Sequence, residues 1–109
     1  MSSTTDRIRY VKHNKVSLKA GKREESTKVL LRFFKDLEEK ATGMRGFVVM
    51  NNVQNSQDSV VLTFWESKED MDAFYQQDNK ALSNLVETLE PSFEHLPERK
   101  DYQVALFKV

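Results

Sequence analysis

The strand-like stretches of this chain are apolar on both sides, whereas its helical stretches are apolar on one. Over residues 59–65, Val61, Thr63 and Trp65 fall on one side of an extended backbone, and Val60, Leu62 and Phe64 fall on the other. Over residues 47–53, Phe47, Val49 and Val53 alternate with Val48 and Met50. At the end of the chain Tyr102, Val104 and Leu106 alternate with Ala105, Phe107 and Val109. Two other stretches repeat apolar residues at helical spacing: Val29, Leu30, Phe33, Phe34 and Leu37, then Ala81, Leu82, Leu85, Val86 and Leu89. Such helices cover one face of a sheet. The second apolar face needs another cover, and the simplest is a second copy of the chain. The pattern predicts a homodimer packed sheet to sheet.

The order of elements is equally legible. A first strand spans Ile8–Leu18, where Ile8 and Tyr10, then Val16 and Leu18, alternate around the polar pair His13 and Asn14. Residues 19–22 make a turn in which Gly21 supplies positive φ. A helix follows over Arg23–Ala41, ended by Gly43. A strand at Phe47–Val53, a polar hairpin loop at Asn55–Asp58 and a returning strand at Ser59–Trp65 come next. Ser67 is the N-cap of a second helical region, with Glu69 and Asp70 in its first turn and Met71, Phe74 and Tyr75 opening its stripe. That region breaks near Asp78 and Asn79, resumes at Ala81 and stops at Pro91. Residues 92–99 read as a connector, with a short helical turn around Phe93 and Leu96, and residues 102–109 as the closing strand. The order β-α-β-β-α-β predicts a ferredoxin-like α+β fold, an antiparallel sheet with helices on one face. Residues 1–6 read as a disordered start and 7–109 as a single domain, because 109 residues build one core.

Composition removes whole classes of function. Seventeen basic residues balance 17 acidic ones, so no net field draws the chain to nucleic acid or to an anionic membrane. Without cysteine there is no disulfide, thiolate metal site or Cys nucleophile. Two histidines, His13 and His95, are too few for a His-based metal site, so no metal is expected. No apolar run approaches the roughly 20 residues that cross a bilayer. The polar start lacks a signal-peptide core. The expectation is a soluble, cytoplasmic domain. No Gly-rich phosphate loop, paired-carboxylate site or nucleophile–base arrangement is legible.

The only tryptophan stands at the joint of strand and helix in Thr63-Phe64-Trp65-Glu66-Ser67-Lys68-Glu69-Asp70. There it either packs in the core or presents a flat apolar surface and one N–H to a cavity. This junction, with Met71, Phe74 and Tyr75 behind it, resembles the antibiotic biosynthesis monooxygenase domains. The element order, Gly21 between first strand and first helix, and Gly43-Met44-Arg45-Gly46-Phe47 leading into the second strand resemble them too. The resemblance covers most of the chain. It implies a dimeric α+β barrel with a small cavity in each subunit between sheet and helices.

The resemblance also implies roles. Asn14 matches an Asn used in the pockets of both the anthrone-type oxygenases and the haem-degrading members, and Trp65 matches the Trp of the former. Both are candidate catalytic residues. Asn14 would donate its amide N–H to a substrate oxygen on which charge develops before reaction with O₂. The anthrone-type oxygenases carry a second Asn four residues before the Trp, where this chain has Val61. The haem-degrading members carry a Trp and a His ligand where this chain has Phe74 and Asn84, so the usual axial haem ligand is missing. Phe33, Val61, Phe74, Tyr75 and Asn84 are the candidate substrate-binding residues.

The implied activity is a monooxygenase that needs no metal or organic cofactor, takes O₂ as co-substrate and acts on a small aromatic phenol or quinol. One alternative is a non-catalytic dimeric module, stress-related or binding a small hydrophobic ligand; a closed pocket filled by Phe33, Phe74 and Leu85 would favour it. The other is a haem-binding or haem-degrading member with altered ligands.

Overall fold

The computed structural model describes residues 7–37, 41–76 and 78–109. Its elements run β1 (Tyr10–Leu18), α1 (Arg23–Leu37), β2 (Met44–Asn51), β3 (Asp58–Trp65), α2 (Lys68–Phe74), α3 (Lys80–Leu89), a 3-10 turn at Glu90–Ser92, and β4 (Phe93–Gln103). The strands form one sheet in the order β2-β3-β1-β4, each neighbouring pair antiparallel. This is the ferredoxin-like α+β arrangement that the element order predicts. The expected disordered start at residues 1–6 lies outside the described residues. So do residues 38–40, through which the sequence predicts the first helix to continue to Ala41.

Alternation sets the two faces of the sheet. Along β3, Ser59, Val61, Thr63 and Trp65 are buried, while Val60, Leu62 and Phe64 are only partly so. Along β1 the buried set is Lys12, Asn14, Val16 and Leu18. Onto this inner face α1 lays Ser26, Leu30 and Phe34, spaced i, i+4 and i+8, and α3 lays Leu82, Leu85 and Leu89. Trp65 and Met71 are both 0 % exposed at the centre. Burying side chains of that size stabilises by roughly 1.5–3 kcal/mol each.

Local chemistry sets the helix ends. The Ser67 hydroxyl accepts from Asp70 N–H at 3.1 Å and starts α2. The Asn79 amide works in both directions, accepting from Leu82 N–H at 3.2 Å to start α3 and donating to Phe74 O at 2.7 Å. It thereby ties the end of α2 to the start of α3, at the break the sequence predicts. Gly43 has φ +78°, and a Cβ there would overlap the Asp70 side chain. Its carbonyl accepts from Glu66 N–H at 2.9 Å, so the turn before β2 is seated against the β3–α2 junction.

The last strand departs from the sequence reading. It spans Phe93–Gln103, not 102–109, so the residues read as a connector are its body. β4 is an edge strand that pairs only with β1. Its exposed Glu94, Glu98, Arg99, Lys100 and Asp101 suit such an edge and hide it from any search for apolar alternation. Pro97 sits where the register slips, between the pairs Lys15–Glu98 and Ser17–His95, a place where a sheet accommodates Pro. Beyond β4 the chain runs on as a tail: Val104 N–H donates to Arg9 O at 2.8 Å, and Phe107 meets Phe64 edge-on at 6.1 Å on the outer face. Leu106 and Val109 stay exposed, so the alternation at 102–109 does not mark a strand. β2 also starts earlier than expected. Met44 pairs with Trp65 ahead of an irregularity at Arg45–Gly46, and Val53 stands 98 % exposed in the hairpin loop.

Candidate functional site

Trp65 packs in the core. Its indole N–H donates to Thr63 Oγ1 at 2.8 Å, and its ring lies 5.2 Å from Phe74 and 6.3 Å from Tyr75. Thr63 Oγ1 is also 2.9 Å from Tyr75 Oη. One strand hydroxyl, 0 % exposed, thus satisfies the Trp and holds the Tyr.

Tyr75 stands at the centre of a polar cluster. Asn14 Nδ2 donates to Val61 O at 3.0 Å and reaches Tyr75 Oη at 3.4 Å. Asn14 Oδ1 accepts from Arg99 Nε at 3.1 Å. Arg99 and Lys12 both lie against the Tyr75 ring, at 5.1 and 4.6 Å from its centroid, where the electron-rich face attracts cations. The two cations differ in their partners. Lys12 Nζ is paired with Asp101 Oδ1 at 2.5 Å. No carboxylate among the described residues pairs with Arg99. Burial holds the Tyr75 phenol above the ordinary tyrosine value of 10.0, against the lowering effect of its bonds with Thr63 and Asn14 and of the Arg99 charge. The phenol is therefore neutral at any physiological pH.

This cluster borders a chamber of about 40 Å³ between sheet and helices. Asn14, Tyr75, Arg99 and Ser26 supply the polar atoms; Val16, Leu30, Phe34, Val61, Leu82, Leu85, Val86, Leu89, Phe93 and Pro97 complete the lining. Neither carboxylate nor imidazole is among these residues. The space is enough for a few waters or one diatomic molecule. Tyr75, Leu82, Val86, Pro97 and Arg99 also line an outer vestibule of about 390 Å³, completed by Gln76, Ser83, Glu87 and Leu96. These five residues form the partition between the two spaces.

Of the residues singled out from sequence, Asn14, Val61 and Tyr75 meet at the chamber. Trp65 and Phe74 stand behind Tyr75 and do not line it. Phe33 and Asn84 lie elsewhere, in a surface groove of about 370 Å³ between α1 and α3. His13 is on the face opposite Asn14, as strand alternation predicts, with its ring 6.0 Å from Tyr102. His95 is exposed on β4. Among the described residues no three His, Asp or Glu side chains gather as a metal site.

Sequence reasoning missed Arg99, Lys12, Thr63 and Ser26. Arg99 was hidden by the misplaced last strand. The other three carried a signal: Lys12 shares strand parity with Tyr10, Asn14 and Val16, Thr63 sits between Val61 and Trp65, and Ser26 precedes Leu30 and Phe34 at helical spacing. Each is a polar residue on an apolar stripe, where it must find a partner.

The fold recurs in solved structures of low sequence identity. A monooxygenase from the gene ActVA-Orf6 of Streptomyces coelicolor, in complex with the ligand nanaomycin D, superposes with a TM-score of 0.81 at 12% identity, over 99% of this chain and 98% of that one. A Bordetella bronchiseptica protein that carries the antibiotic biosynthesis monooxygenase name gives 0.77 at 13% identity, over 91% and 99%. A conserved protein from Methanosarcina mazei Go1 gives 0.74 at 15% identity, over 90% and 94%. At such identities these likenesses concern the fold. No curated protein matches the chain in sequence. The model of the family described as "Antibiotic biosynthesis monooxygenase" matches residues 9–79, a span that holds β1 to α2 and with them Asn14, Thr63, Trp65 and Tyr75. The chain belongs to the antibiotic biosynthesis monooxygenase family.

Proposed function

We propose that this protein is a monooxygenase that binds an aromatic phenol or quinol as its anion and oxidises it with O₂, without a resident cofactor. Arg99 carries the reading. It is a guanidinium without a carboxylate partner among the described residues, held by Asn14 and Tyr75 at the partition between chamber and vestibule. A phenolate oxygen supplies the missing counter-charge through a charge-assisted hydrogen bond. The vestibule is of a size that takes an aromatic ring. Asn14 acts here by aiming Arg99, since its own N–H groups face Val61 O and Tyr75. In the overall reaction one atom of O₂ enters the substrate as a carbonyl. The other leaves as water with two substrate hydrogens, so the substrate supplies all four electrons.

Oxygen uptake with a panel of phenols, quinols and anthrones tests this. Turnover is expected with at least one class, and Arg99→Gln should lower kcat/KM by about 10–100-fold, the loss of one bond to a charged group. Absence of turnover across the panel, or turnover indifferent to Arg99→Gln, would sink the proposal.

A second reading is ligand binding without turnover. It is favoured by Trp65, whose N–H is engaged by Thr63 and which presents nothing to a ligand. Tight binding of the same panel with no oxygen uptake would select it. The haem reading has no comparable support, because Asn84 is exposed in the groove between α1 and α3.

The proposal includes a homodimer, packed sheet to sheet, in a cytoplasmic setting. The outer face presents Val11, Val48, Val60, Leu62 and Phe64, none of them reached by the helices and none fully buried. His13 Nδ1 lies on the same face, buried and without a hydrogen-bond partner among the described residues.

A further inference from the structure

Ser26 is 2 % exposed, and its Oγ has no hydrogen-bond partner among the described residues. A helical hydroxyl in want of a partner ordinarily turns back to the carbonyl four residues earlier. Its neighbour Thr27 does this, donating to Arg23 O at 2.8 Å. Ser26 instead stands on the inner stripe of α1, in the wall of the chamber, and the other α1 residues in that wall, Leu30 and Phe34, are apolar. A buried hydroxyl left alone carries an uncompensated desolvation cost, and something that occupies the chamber can offset it.

The chamber lining therefore has two sources of polar atoms, the cluster of Asn14, Tyr75 and Arg99, and Ser26. The other described lining residues offer no hydrogen-bonding side chain. We infer that Ser26 is a second anchor for the ligand and selects an aromatic carrying two oxygen substituents over one carrying a single phenolic oxygen. The inference rests on the reading of Arg99 as the phenolate site. One oxygen sits at Arg99, with the ring body on the vestibule side. The second oxygen projects past the partition into the chamber, which has room for a small polar substituent and not for a ring. There it meets Ser26 Oγ, which can donate or accept.

The test is anaerobic equilibrium binding, followed by calorimetry, of naphthol and a set of dihydroxynaphthalenes to the wild type and to Ser26→Ala. Without O₂ there is no turnover, so binding is read separately from catalysis. At least one diol should bind the wild type about tenfold more tightly than naphthol does, one neutral hydrogen bond's worth. Ser26→Ala should erase that preference, leave naphthol binding unchanged and leave the melting temperature equal or higher, because no bond within the fold is lost. Three results would overturn the inference: no diol preference in the wild type, equal weakening of both ligand types in Ser26→Ala, as expected of a hydroxyl that only holds a water, or a fall in melting temperature. An aerobic assay separates the two proposals. Diol preference without oxygen uptake counts against the monooxygenase and leaves the Ser26 anchor standing, whereas oxygen uptake without diol preference does the reverse.

Discussion

At the scale of single residues, Thr63 joins two aromatic side chains through one hydroxyl. It serves the Trp65 indole and the Tyr75 hydroxyl from a fully buried strand position. Thr63→Val keeps the shape and removes the oxygen, leaving two buried polar groups short of a partner. The expected loss is about 1–3 kcal/mol in urea unfolding. Part of it should return in the Thr63→Val, Trp65→Phe double variant, where one orphaned donor is gone. Tyr75 gives a second expectation. Its folded pKa is raised by burial, so folding favours the neutral phenol. The stability this confers is complete below the ordinary value of 10.0 and is lost as pH rises through the folded value. The melting temperature should therefore fall more steeply above pH 10.0 in the wild type than in Tyr75→Phe; parallel curves would contradict the burial. Among the described residues the chamber lining holds no carboxylate and no imidazole, so the substrate's own ionisation should govern turnover. Across a phenol series, the midpoint of the pH–rate curve should track each substrate's pKa, and a common midpoint for all would point to a protein base.

At the scale of elements, the junctions are held by a few backbone-level devices. Gly43 and Gly21 have nearly the same positive φ, +78° and +79°, but different surroundings. A Cβ at Gly21 meets open space, whereas one at Gly43 overlaps Asp70. Gly21→Ala should cost about 1 kcal/mol, the backbone penalty alone. Gly43→Ala should cost clearly more, and Asp70→Ala should recover part of the difference, as chemical denaturation can measure. Both glycines were legible in the sequence as turn residues; the contact with Asp70 was not, because it joins residues far apart in the chain. The helices α1 and α3 were legible because a long apolar stripe repeating every three to four residues falls on one side of a helix and of no other regular backbone. β4 was not. Its inward positions are few, its charges belong to an edge, and the apolar tail behind it imitated a strand.

At the scale of the whole molecule, the sheet has one face covered by helices and one that the helices leave uncovered. If two copies pack on that outer face, a charge at its centre should separate them. Leu62→Asp is expected to shift the mass seen by light scattering at micromolar concentration from dimer to monomer, with the Arg99 site intact in each chain. A wild type that is already monomeric would end the dimer proposal. The β-α-β-β-α-β order and the helix break near Asn79 follow from periodicity and turn chemistry, which act between near neighbours and so survive in the linear text; the family is legible in the residues around Trp65 and Gly43. Which polar groups meet is not. Arg99 reaches Asn14 only because β4 lies beside β1 in one register. Trp65 is buried with its N–H on Thr63, and Ser26 has no partner among the described residues where its helix faces a chamber. These outcomes depend on distances between residues remote in sequence, and only the tertiary structure sets those.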